Sequence, residues 1–323
     1  MDGINYLKHI AFLGLLITGF QAVAVENKLA VVNKSDNSIS IIDIRTKKII
    51  ATLPTGAGPH ELILLDDGRH AVSTDFVGGN SLTVFDLKSQ KVKNRMVFDD
   101  YLGPHGIFPL KDSSQVLFTS GRSQHLVHVD VLTKKVISAL PTKQNTTHMV
   151  AVDDTETFAF TTNIRSDSIS MFDIESSSLI KQIVTESQPE AIRYHHLSNT
   201  LWYGSNKEGL VTVINPHSEE VIVQFDDFVF PYRILFNHEQ TIALVPDFRG
   251  DFIRFIDVKE MKVVKTLSLG KGSGPQGITL HPNNNIAYVS LNLKNKIVSI
   301  DIDKQRIVDE YPTGNNPDGL IYF

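Results

Sequence analysis

Three of the chain's 12 histidines, His60, His105 and His148, fall 45 and 43 residues apart, and Glu190, Tyr232, Gln276 and Asp318 continue the series at similar intervals. All but His148 directly follow a proline, so the series marks one recurring place just after a turn. Three imidazoles flanked by carboxylates are a donor set for zinc, iron or copper rather than for magnesium or calcium, which take oxygen ligands. In that chemistry His60, His105 and His148 form a three-nitrogen site. Glu190 is a fourth ligand or, in an enzyme, the catalytic general base, and Asp318 orients His60 from behind. Tyr232 and Gln276 complete the series as neutral polar partners. Two other accounts fit the same residues: a metal-free pocket for a small ligand, or polar side chains that only line a water-filled channel.

A second series lies in loops and holds Asp75, Arg122, Arg165, Lys207, Asp247 and Arg249. Arg122, Arg165 and Arg249 suit a bidentate clamp on a carboxylate or phosphate, although exposed loop arginines are commonly only solvated. The segment Gly270-Lys271-Gly272-Ser273-Gly274-Pro275 has the glycines of a phosphate loop but lacks the following Lys-Ser/Thr and helix, so it reads as a long turn. No Gly-x-Ser-x-Gly elbow or His-Glu-x-x-His helix is present.

The elements that must position these residues repeat with them. A pattern of alternating apolar residues ending in Asp or Asn recurs at Ile39–Asp43, Leu82–Asp86, Leu126–Asp130, Ile169–Asp173, Val211–Asn215, Ile253–Asp257 and Ile297–Asp301. Each repeat runs turn, strand, Asp/Asn-Gly-like turn, strand, polar loop, strand ending in Asp, and a fourth strand rich in Lys, Val and Ile. Four short alternating strands per repeat of about 43 residues predict an all-β, seven-bladed β-propeller. The chain from residue 25 enters at a second strand, Leu29-Ala30-Val31-Val32-Asn33, and ends in a first strand, Pro317 to Phe323. The C-terminal strand is therefore expected to complete the N-terminal blade and close the ring. The terminal Asp column looks like a ring of carboxylates, but an Asp before a polar tetrapeptide is the side-chain-assisted turn of a hairpin. At a mouth of roughly 6 Å radius, residues that begin neighbouring inner strands would lie about 5 Å apart, near enough for imidazoles to share an ion.

The Pro-x-Gly turns, strands such as Ala287-Tyr288-Val289-Ser290 and Phe160-Thr161-Thr162-Asn163, and the strands ending in Ile-Asp resemble the YVTN family of β-propeller repeats over residues 28 to 323. That resemblance implies the propeller fold and an exported bacterial protein. It says little of activity, since related propellers include lactonases and lyases, and this chain departs from the carboxylate-and-Asn metal site of the lactonase-like ones. Nucleic-acid binding, suggested for some relatives, is not expected of a chain with a net charge of −5.

Residues 1–24 read as a signal peptide: Lys8, an apolar run from Ile10 to Phe20, and the small-residue cleavage site Ala22-Val23-Ala24. The run is too short for a transmembrane anchor, which needs about 20 residues. Residues 25–323 then form a single propeller, periplasmic or secreted. The chain has no cysteine, which excludes disulfides, thiolate ligands, cysteine nucleophiles and lipid attachment. The reading that follows is an exported propeller that binds a metal ion or small anionic ligand at its channel mouth. The alternatives are a metal-dependent lyase, lactonase or oxidoreductase using the same site, and a protein-interaction scaffold with an envelope partner.

Overall fold

The computed structural model describes residues 27–111, 113–283 and 285–323. The expected leader and its cleavage site lie outside them. Within this range 28 strands form seven four-stranded antiparallel sheets arranged as a propeller. Numbered from the blade that holds the N-terminal strand, blade 1 runs Pro317–Tyr322, Lys28–Asn33, Ser38–Asp43, Lys48–Pro54 from axis to rim, and blade 2 runs Pro59–Leu64, His70–Asp75, Ser81–Asp86, Lys91–Val97. The chain ends close the ring as the repeat requires: Leu29, Ala30 and Val31 pair with Tyr322, Ile321 and Leu320, and Lys28 and Phe323 exchange two backbone hydrogen bonds of 3.0 Å. Among the described residues no helix is long and apolar enough to cross a membrane.

Alternation along each strand explains where the core sits, because successive side chains leave opposite faces of a sheet. In blade 1, Leu29 and Val31 pack against Tyr288 and Ile297 of blade 7, while Ala30 and Val32 pack against Leu62 and Phe85 of blade 2. The apolar core is thus divided into seven clusters, one between each pair of neighbouring blades. No blade buries both faces alone.

The Asp column is structural. The backbone N–H three residues on donates to Asp43 (2.7 Å), Asp86 (3.1 Å), Asp130 (2.9 Å), Asp173 (2.7 Å), Asp257 (2.8 Å) and Asp301 (2.9 Å), and to Asn215 in blade 5 (3.2 Å). These turns join the two outer strands of each blade, away from the axis.

The inner strands carry the feature that builds the site. Strand pairing slips between Pro59 and Leu62, Pro104 and Ile107, Thr147 and Val150, Pro189 and Ile192, and Pro275 and Ile278, and likewise opposite Pro317. Each slip spans the residue after the turn and the one following it. A bulge of this kind re-aims a side chain, and here it directs the histidine series to the axis. In four of these six blades a hydroxyl from the second strand takes up the freed N–H: Thr74 accepts from Glu61 (3.1 Å), Thr119 from Gly106 (2.9 Å), Thr162 from Met149 (3.0 Å) and Ser290 from Gly277 (2.8 Å), whereas Val32 and Gly204 hold that place in blades 1 and 5. Blade 6 departs from the pattern. Its second strand has Pro246 at that place, with neither hydroxyl nor N–H, and the inner strand shrinks to Leu235–Phe236 and one bridge from Pro231 to Asp247.

Candidate functional site

The seven residues after the turns converge on the axis in the order Asp318, His60, His105, His148, Glu190, Tyr232, Gln276, and none is more than 8 % exposed. The ring is too narrow for them to remain seven separate groups. The inner strands touch: a methyl group on Gly106 would lie 2.6 Å from the carbonyl oxygen of His148, and one on Gly277 would lie 2.2 Å from that of Asp318. Side chains therefore meet across the channel as well as around it.

His60 is the hub. Its Nδ1 lies 3.1 Å from Asp318 Oδ2 and 3.2 Å from Glu61 Oε1. Carboxylates only accept, so Nδ1 carries the proton and Nε2 offers its lone pair to the axis. Around that Nε2 stand His105 Nε2 at 3.3 Å, Lys34 Nζ at 3.3 Å and the Tyr232 hydroxyl at 3.5 Å. Tyr232 also donates to Asp318 Oδ2 at 3.3 Å. Phe76 packs against both imidazoles, in T-shaped contact with His60 and His105 at centroid distances of 5.5 and 4.7 Å. Burial holds His60 and His105 well below the ordinary imidazole range, although Asp318 opposes this at His60, so both are neutral near pH 7. Burial, followed by the Asp318 charge, pushes the Tyr232 hydroxyl well above its ordinary value.

The predicted trio does not converge as a trio. His148 lies flat on His105, with centroids 3.6 Å apart and planes 28° apart, and its Nε2 faces Glu190 Oε1 at 3.5 Å. The other oxygen of Glu190 accepts from Asn206 at 2.5 Å. The donor atoms that fall within reach of one ion belong to His60, Glu61 and His105. Two nitrogens bound to tetrahedral zinc at about 2.0–2.1 Å stand about 3.3–3.4 Å apart, which matches the His60–His105 separation. The carboxylate behind His60 is the usual support of a metal-ligating imidazole. His105 Nδ1 and Asp318 Oδ1 are buried with no hydrogen-bond partner. The residues present therefore fit a borderline transition-metal ion, with His60 and His105 as its nitrogen ligands.

Arg122, Arg165 and Arg249 stand on the rim of the mouth. After each second strand the first loop residue turns inward and the second outward. Lys34, Phe76 and Asn206 take the inner place, whereas Arg122, Arg165, Lys207 and Arg249 take the outer one and are exposed. Arg122 donates to the Gly79 carbonyl at 2.7 Å, and Arg249 lies over the Phe230 ring at 4.6 Å. Asp75 and Asp247 are buried loop staples: Asp75 accepts from Ser81 and Thr83, and Asp247 from the backbone of Val229, Phe230 and Gly250. Gln276 accepts from Lys34 at 3.4 Å.

Three charged members were not foreseen. Lys34 belongs to the loop series but sits in the blade split between the chain ends. Glu61 and Arg233 follow the histidine series by one residue, at places that Gly106, Met149, Ala191, Gly277 and Gly319 fill elsewhere. Opposite charges in an otherwise uncharged column were the available signal. Arg233 pairs with Glu61 across the ring, donates to the Tyr232 carbonyl at 2.7 Å and lies over the Tyr232 ring at 4.2 Å. Burial is the largest influence and would weaken its charge, but Glu61, Tyr232, Asp318 and Glu190 together outweigh it and hold the guanidinium above its ordinary value.

Fold and site together define a seven-bladed β-propeller with a buried, histidine-centred axis. Its fold is similar to that of three solved structures. One is the hydrazine synthase of Kuenenia stuttgartiensis (TM-score 0.71, 15% identity, 80% of this chain and 88% of that chain). Another is the dihydro-heme d1 dehydrogenase NirN in complex with DHE (TM-score 0.68, 14% identity, 92% and 75%). The third is a functionally unknown protein from Desulfotomaculum acetoxidans (TM-score 0.77, 13% identity, 91% and 98%). At these identities the likeness is one of fold. No protein-family model and no curated protein matches the chain.

Proposed function

We propose that the protein is an exported propeller of the YVTN type that binds a transition-metal ion, zinc, iron or copper, on its channel axis. The carrying observation is the 3.3 Å separation of His60 Nε2 and His105 Nε2, with Asp318 3.1 Å behind His60. Buried neutral imidazoles need no deprotonation to ligate, and Glu61 supplies the adjacent carboxylate. Export rests on the leader-like segment ending at Ala24.

A second reading, a redox enzyme built on the same ion, draws on two proteins of similar fold, a hydrazine synthase and a dihydro-heme d1 dehydrogenase. It requires iron or copper, because zinc has no redox chemistry. In that role the ion would supply electron transfer, while Tyr232 and Asp318 would hold a proton beside it.

The test is elemental analysis of protein purified from the cell envelope fraction, with His60→Ala and His105→Ala variants alongside. One equivalent of metal in the native protein and its loss from each folded variant is the expected result. No metal in the native protein, even after incubation with zinc, copper and iron, would overturn the reading. A zinc-only result would remove the redox version.

A further inference from the structure

We propose that Lys34 is a displaceable internal cation: in the metal-free protein its ammonium sits on the His60 lone pair that the metal ion takes, and metal binding drives it out. The inference rests on the metal reading above. Lys34 Nζ lies 3.3 Å from His60 Nε2, 3.0 Å from Asp318 Oδ2 and 3.4 Å from Gln276 Oε1. An imidazole lone pair, a carboxylate and an amide oxygen are the surroundings of a bound cation, and the lysine fills that role. The His60 lone pair cannot serve both an ammonium and a metal ion. Two cations held a few ångströms apart in a buried site also repel strongly. Binding therefore exchanges one for the other.

The structure provides for the exit. Lys34 begins the three-residue 3-10 turn Lys34–Asp36 at the mouth, and its side chain is 21% exposed, against 8% for His60 and 0% for Asp318. Beside it lies a cavity of about 400 Å³ lined by Ser35, Asn37, Gly58, Val77 and Asn292 as well as Lys34 itself. The ammonium can swing along this cavity to water without any strand moving. The cradle also has capacity that the lysine does not use, since Asp318 Oδ1 is buried without a partner.

Two consequences follow. Lys34 weakens metal affinity, because its own contacts must be given up. It also keeps the empty site intact, since Asp318 without it would be a buried carboxylate lacking its cation.

The experiment compares wild type, Lys34→Gln and His60→Ala, each checked for folding by circular dichroism. Zinc affinity is measured by competition with a chromophoric chelator, and cobalt(II) absorption reports the coordination. Lys34→Gln should bind zinc at least about tenfold more tightly than wild type, a shift of about 1.4 kcal/mol. It should melt at lower temperature in chelator and regain that loss with zinc. Equal or weaker zinc binding by folded Lys34→Gln, with His60→Ala showing none, would overturn the role of Lys34 and leave the metal reading standing. No binding by either wild type or Lys34→Gln would overturn the metal reading and this inference with it.

Discussion

At the scale of single residues, neighbouring places in one repeat series have acquired different work. His60 is fixed from behind by Asp318 and Glu61 and presents one nitrogen to the axis, and His105 presents its Nε2 to the same point. His148 stacks on His105 and turns its Nε2 to Glu190. Replacing His148 by alanine should therefore leave metal stoichiometry intact and weaken zinc binding by no more than the roughly 10–100-fold typical of supporting groups. His105→Ala should abolish measurable binding. Zinc titration of the two variants checks this, and equal loss in both would restore the three-histidine site. The histidine column was legible from repeat spacing. Its division of labour was not, because ring stacking between His105 and His148 depends on a channel radius that no single repeat encodes.

At the scale of elements, the bulge after the turn in six of the seven inner strands is what turns a propeller strand into a site. In four blades it sets a second-strand hydroxyl against the freed N–H, and in three, where inner strands touch, it requires a residue without a side chain. Gly319 shows this requirement: a methyl group there would lie 2.6 Å from Leu62 N and 2.8 Å from the carbonyl oxygen of His60. Gly319→Ala should destabilise the fold by about 1–3 kcal/mol. It should also lower metal affinity by displacing His60. Thermal unfolding and zinc titration test this, and an unchanged melting temperature would count against such close strand contact.

The outer turns carry a pH dependence of their own. The Thr46 and Ser176 backbone N–H groups hold the Asp43 and Asp173 carboxyls below their ordinary value. A lowered carboxyl contributes stability that is present above the unfolded value of about 3.9 and is lost as pH falls through the folded one. The melting temperature should therefore fall below about pH 4. Asp173→Asn, which keeps an acceptor oxygen but not the charge, should show a smaller drop between pH 5 and pH 3 than wild type. An equal drop would place the acid sensitivity elsewhere. This Asp column could be read from sequence, since the interaction spans only three residues.

At the scale of the whole molecule, seven interblade clusters make the ring a single closed structure. The last strand supplies Leu320, Ile321 and Tyr322 to two of them and Asp318 to the axis. Deleting Gly314 to Phe323 should lower the melting temperature by more than about 10 °C or abolish cooperative unfolding. Calorimetry of the truncated chain decides, and an unchanged transition would overturn the closure argument. From sequence alone came the number of blades, the strand shared between the chain ends, the turn role of the Asp column and the series of residues that faces the axis. All of these are written in periodicity and short-range contacts. Tertiary structure alone decided which of those residues touch. Lys34 meets Asp318, and Glu61 meets Arg233, across separations of 284 and 172 residues. Such contacts exist only once the ring has closed and its radius is set by packing between blades, and they turn a repeated column into one asymmetric site.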